Sequence, residues 1–153
     1  MAYAALGTWI VTAAFGFAMF SIWMREPEGT PPGVLRDSHF SSSHVLAHLL
    51  LGAVGLLLWV IYLIGDSTVI AWISFVAIVL GAGLGDVLVL RWLRDRRQTP
   101  FVAPIDLSVA TSPNVVQLDL SEQRIPAWLV VTHGVFAVAT LILVLLTAIS
   151  DST

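Results

Sequence analysis

The chain has 153 residues, 58% of them hydrophobic, with a mean hydropathy of +0.91 and a formal net charge of −3. Soluble globular domains carry about 45–50% apolar residues, so this composition excludes a soluble enzyme and implies a single integral membrane domain over residues 1–153. The acidic balance and the lack of a basic soluble region exclude a nucleic-acid partner. Without cysteine the chain has no disulfide, thiolate metal site, iron–sulfur cluster or covalent haem attachment.

No charged side chain occurs within 1–24, 38–65, 67–85 or 125–150, and crossing the hydrocarbon as a helix takes roughly 20 apolar residues. Continuous apolar runs without alternation favour helices over barrel strands. The expected helices span about 2–24, 43–64, 68–92 and 127–149, making an all-α four-helix transmembrane bundle. The first lacks a basic leading region and is long enough to cross, so it reads as a retained anchor rather than a cleaved signal.

Arg25, Arg36, Arg91, Arg94, Arg96, Arg97 and Arg124 are the basic residues, and there is no lysine. All of them fall in or beside the loops after the first and third helices, which lie on one side of a four-helix bundle. The positive-inside rule makes that side cytoplasmic, which leaves both termini and the Gly65-Asp66-Ser67 turn outside and assigns the chain to the cell's inner (plasma) membrane. Trp23, Trp92 and Trp128 at inner ends, with Trp9, Trp59 and Trp72 towards outer ends, fit two interfacial belts.

Two cytoplasmic segments separate the helices. Residues 26–42 hold prolines and glycines and lead into Ser41-Ser42-Ser43, candidates to cap the second helix. In the loop 98–124, Ile105, Leu107 and Val109 alternate before Thr111-Ser112-Pro113-Asn114, and Val116, Leu118 and Leu120 alternate after it. This spacing predicts a small β-hairpin between helices 3 and 4 that rests on the bundle or on a partner subunit. No internal repeat or low-complexity tract is evident at this level.

The chemistry gathers near the cytoplasmic side. His44 and His48 are four apart and share a helix face that continues to Gly52, Gly55, Trp59 and Tyr62. His133 enters the fourth helix to a depth within roughly a turn of His48, and Asp86, five residues before Arg91, reaches the same level. Ionisable groups in a bilayer are costly and usually face a bundle interior, so their convergence marks a candidate site. The bland alternatives stand beside it: His44 as a headgroup residue, His48 and His133 as an interhelical polar pair, and Asp86 as a partner for an arginine or histidine. His39 precedes the helix and takes no role. Gly81 and Gly85 read mainly as close helix packing, with a cofactor edge as the other possibility. Met19 and Met24 read as packing or lipid-facing residues rather than thioether ligands.

His48 and His133 on different helices suit axial ligation of one haem iron, with Arg91 and Arg94, together with Arg124, placed to pair with propionates. In this the bundle resembles the small four-helix membrane cytochromes b and the haem-bearing anchor subunits of respiratory enzymes. The resemblance covers the helices and the two histidines, and the chain departs from it in carrying a single histidine set. It implies a membrane electron-transfer protein, or at most a subunit of an oxidoreductase complex, binding haem b through His48 and His133 and acting near a quinone. A different class of reading is a non-catalytic accessory subunit, given the small size and the cytoplasmic loop, with the bilayer and other membrane subunits as partners. A third is a metal-handling or small transport protein using His44, His48, Asp86 and His133, although no inverted repeat or broken helix supports it.

Overall fold

A computed structural model describes residues 1–25, 36–37, 40–97, 119–120 and 124–152. Four helices run α1 (Ala2–Met24), α2 (Ser42–Gly65), α3 (Thr68–Arg97) and α4 (Ala127–Ser150). All four are long and apolar enough to cross a membrane, which makes the chain a multi-pass membrane protein. α3 exceeds its expected end by several residues. Arg91, Arg94, Arg96 and Arg97 are good helix formers, so charge ends the apolar span without ending the helix, which projects past it.

The expected hairpin is not present among the described residues. Asp119–Leu120 (β2) pairs in parallel with Arg36–Asp37 (β1) of the other loop, Arg36 opposite Asp119 and Asp37 opposite Leu120. The rest of the expected hairpin, residues 105–118, lies outside the described residues. Apolar alternation fixes which side chains share a face but not which strand is the partner, and a lone hairpin buries too little to hold itself together. Among the described residues the chain is therefore all-helical apart from this two-residue ladder.

The serine run also behaves differently from expectation. Ser41 is the N-cap of α2, yet its hydroxyl bonds the Ser43 hydroxyl at 2.7 Å rather than a backbone N–H. The tryptophans divide too: Trp9, Trp23, Trp59 and Trp92 are buried inside the bundle, while Trp72 and Trp128 face outwards. Large rings here pack against small neighbours within the bundle. Trp9 lies where a Cβ on Gly55 would fall 2.9 Å from its ring.

α2 packs chiefly on α3 and α1 chiefly on α4, with looser seams between α1 and α2 and between α3 and α4. Both tight pairs carry interhelical hydrogen bonds. Ser74 donates to the Gly55 carbonyl at 2.9 Å, and the Thr140 and Thr8 hydroxyls meet at 3.0 Å. In membranes such bonds average about 0.6 kcal/mol, so close packing contributes most of the cohesion. The main buried cluster, Ala5, Trp9, Trp59, Tyr62, Ala71, Val144 and Ala148, occupies the half of the bundle near the chain termini. That end is tied by Trp59 to the Ala2 carbonyl at 3.2 Å, by Thr68 to the Asp151 carbonyl at 3.2 Å, and by Tyr62 to the Asp151 carboxylate.

This arrangement exposes an internal duplication. Swapping α1 with α3 and α2 with α4 turns each tight pair into the other. At one constant offset Gly16 matches Gly85, Trp23 matches Trp92 and Arg25 matches Arg94. At a second offset His48 matches His133, and Ile64-Gly65-Asp66-Ser67-Thr68 matches Ile149-Ser150-Asp151-Ser152-Thr153. Burial obeys the same correspondence: Gly55, Trp59 and Tyr62 of α2 are buried, as are their mates Thr140, Val144 and Thr147 of α4. The helix order α1–α2 thus corresponds element by element to α3–α4, two helical hairpins that each contribute one member to both tight pairs.

Candidate functional site, a paired histidine centre

Each histidine sits in a seat made by a helix turn of the neighbouring hairpin. His48 Nδ1 lies 2.8 Å from the Gly81 carbonyl oxygen, and His133 Nδ1 lies 2.9 Å from the Thr12 carbonyl oxygen. In a helix the carbonyl of residue i is overlaid by the side chain at i+4, because side chains lean towards the N-terminus. At both seats residue i+4 is glycine. A Cβ on Gly85 would stand 3.0 Å from His48 Cε1, and one on Gly16 would stand 3.1 Å from His133 Cε1. The two glycines expose a helix carbonyl to an imidazole edge and leave the ring the space to reach it.

A carbonyl oxygen only accepts, so Nδ1 of each ring must be the donor. Nδ1 of each ring therefore carries a proton, so in a neutral imidazole here Nε2 is the nitrogen with the lone pair. The ring centroids are 6.2 Å apart with planes at 65°. A metal held by two imidazoles at about 2.0–2.1 Å from each nitrogen places the ring centres about 6 Å apart. The Nδ1–H to backbone carbonyl bond is also the usual means of orienting a metal-bound histidine and raising its basicity. Two imidazoles at this spacing are a donor set that could hold one metal ion between them. Among the described residues no group of three or more histidine and carboxylate side chains converges, so a multi-ligand metal cluster is not built here.

The other expected residues are placed less centrally. His44 is half-buried one turn from His48, and its Nδ1 is enclosed without a hydrogen-bond partner. Asp86 is exposed on the flank of α3 and does not join the histidines. Its neighbour Gly85 takes the interior position, and adjacent helix residues diverge by about 100°. Arg91 is half-buried and Arg94 exposed. His39 lies outside the described residues. Gly81 serves packing as well as the seat, since a Cβ there would touch Leu51 Cβ at 3.5 Å.

Residues that the sequence reading missed are the seat partners Thr12 and Gly16, and Trp92. Trp92 is 6% exposed, its Nε1 has no hydrogen-bond partner among the described residues, and the Arg96 guanidinium lies 4.6 Å from its ring centre. Aligning the two repeats would have found Gly16 and Trp92 through their mates. Two backbone ties close this end: Arg96 donates to the Ile125 carbonyl and Arg124 to the Arg25 carbonyl, each at 3.1 Å. Comparison with protein-family models, with curated proteins and with solved structures gives no match to this chain.

Proposed function

We propose that this is a membrane electron-transfer protein, or the electron-carrying subunit of an oxidoreductase complex, that holds one haem b between His48 and His133. The observation that supports it is the pair of imidazoles, each with Nδ1 bonded to a backbone carbonyl, with centroids 6.2 Å apart. Haem b supplies one-electron iron chemistry when bound. His48 and His133 would hold the iron, and a centre held by two protein imidazoles would suit electron carriage. The Gly81 and Thr12 carbonyls hold the ring planes and make each imidazole the stronger donor. By the positive-inside rule the arginine-bearing end faces the cytoplasm, so electrons exchange on that side. The half-buried His44, with an unsatisfied Nδ1 one turn nearer that face, suits a hydrogen bond to a quinone carbonyl.

The test is an absorption spectrum of the full chain purified from its native membrane and reduced with dithionite. A low-spin b-type spectrum is expected, lost in His48→Ala and in His133→Ala and largely kept in His44→Ala and His39→Ala. A chain with neither haem nor stoichiometric metal overturns this reading.

A second reading, an accessory subunit of a larger membrane complex, is favoured by Asp86. An exposed aspartate on a membrane-spanning flank is costly, though less so near an interface than the about 2.5–3.5 kcal/mol of the bilayer centre, and a polar group on a neighbouring subunit would offset that. Asp86→Leu should then release a co-purifying subunit in mild detergent without changing any spectrum. Unchanged co-purification removes this reading.

A further inference from the structure

The arginines gather at the end of the bundle where α1 and α3 stop and α4 starts, and the structure sorts them by what they already hold. Arg96 donates to the Ile125 carbonyl and lies over the Trp92 ring, and Arg124 donates to the Arg25 carbonyl. Arg91 is half-buried and engaged, and the buried Asp95 takes the same side of α3 as Trp92. Arg94 and Arg97 differ. Both are exposed, and neither has a hydrogen bond or ion pair among the described residues.

Arg94 and Arg97 are three apart, so they stand on one face of the helix on successive turns. The same face runs back into the span through Leu93, Leu90 and Val87, all exposed, Leu90 at 66%. Two unpaired guanidinium groups therefore end a lipid-facing aliphatic stripe. Comparison of the repeats shows what is particular to α3. Arg25, the mate of Arg94, is exposed as well, but α1 ends at Met24 and the residue after Arg25 is Glu26. α3 instead continues to Arg97, and its extra turn supplies the second cation. Asp86 is exposed on this flank too, but it lies eight residues before Arg94, about 12 Å along the axis, and leaves both guanidinium groups unpaired.

We propose that this face of α3 binds an anionic phospholipid from the leaflet at the arginine end, its phosphate between Arg94 and Arg97 and an acyl chain along Leu90 and Val87. A planar guanidinium offers paired N–H donors that match phosphate oxygens, and two on successive turns reach one headgroup. The aliphatic stripe favours a lipid over a free phosphate, because a soluble anion gains nothing from Leu90. Basic residues just outside a span draw anionic lipid with a gain of about fivefold per residue. The site does not depend on what His48 and His133 hold.

Native mass spectrometry of the full chain, released from detergent after titration with phosphatidylglycerol or phosphatidylcholine, gives the affinity of the first bound lipid. Phosphatidylglycerol should bind more tightly, and its affinity should fall roughly thirtyfold in Arg94→Gln/Arg97→Gln. Arg25→Gln should match the parent, and phosphatidylcholine binding should not change in either variant. An excess of inorganic phosphate should leave the bound lipid in place, and displacement would show a soluble-anion site and overturn the lipid assignment. An equal loss in Arg25→Gln would mean that diffuse charge at this end draws the lipid, and it overturns the paired site. Unchanged lipid affinity in the double variant also overturns the proposal. Release of a co-purifying protein in that variant, with lipid affinity unchanged, would assign the face to a protein partner instead.

Discussion

The two helical hairpins are alike where they meet the histidine centre and unlike where they meet each other. Around the site three pairs of mates are identical, His48 and His133, Gly16 and Gly85, Trp23 and Trp92, and the unlike mates Thr12 and Gly81 offer the same backbone carbonyl. In the terminal half they are complementary in size, with Trp59 against Val144, Tyr62 against Thr147, and Trp9 against Ile78. Trp59 and Val144 share one buried cluster, and interiors pack near crystal density, so a tryptophan from both repeats would overfill it. One repeat is large there and the other small. A ligand shared between the repeats, as proposed, would impose the opposite demand, the same donor from both sides.

If that division is right, the site fails symmetrically. His48→Ala and His133→Ala should each remove the low-spin haem spectrum as completely as the double variant, because two-point ligation does not survive with one point. A single variant that keeps the spectrum would mean that the repeats are not equivalent at the centre.

The core should fail asymmetrically. Trp59→Val empties a fully buried site and should cost about 3–5 kcal/mol, and Val144→Trp should cost about 1–3 kcal/mol by overpacking. The double exchange should recover much of the loss, since it restores one large and one small residue to the same cluster. Unfolding in mixed micelles measures all three. Additive losses in the double variant would remove the size-complementarity argument.

How much of this the sequence disclosed depends on whether a feature is local. The spans follow from uncharged runs, and the shared depth of His48 and His133 follows from helix rise, so both were legible. The glycine seats were not, because the spacing Gly81 to Gly85 is the same for a packing stripe and for an imidazole seat. Only the neighbouring helix decides between them. Asp86 follows Gly85 on α3, but its azimuth depends on which face meets α2, and it is exposed. The hairpin failed for a similar reason, since alternation in one segment does not name its partner. The duplication was present in Ile64 to Thr68 and Ile149 to Thr153 yet was obscured, because the matched cores had diverged into large and small residues.

A smaller effect separates two glycines on the face below His48. A Cβ on Gly55 would lie 2.9 Å from Trp9 Cζ2, whereas one on Gly52 meets nothing within 4 Å. Gly55→Ala should therefore destabilise by about 1–3 kcal/mol, and Gly52→Ala should stabilise by roughly 0.5–1 kcal/mol through helix propensity alone. Equal thermal midpoints for the two variants would show that Trp9 moves aside and that the tight fit in the terminal half is not limiting.

The smallest predicted difference tests the comparison at its far edge. Tyr62 and Thr147 are mates, and both are buried, but they use their hydroxyls differently. Tyr62 reaches across to the Asp151 carboxylate, joining α2 to the end of α4, while Thr147 returns its hydroxyl to the Leu143 carbonyl of its own helix at 2.8 Å. Only the first bond links separate helices. Tyr62→Phe should cost about 1.5 kcal/mol, the lower end for a hydrogen bond to a charged group, and should speed amide exchange over residues 148–152. Thr147→Val is close in shape and removes no interhelical link, so those amides should exchange as in the parent. Equal acceleration in both variants would mean that the end of α4 is held by packing of its apolar face rather than by the tyrosine, and that this last asymmetry between the repeats has no mechanical consequence.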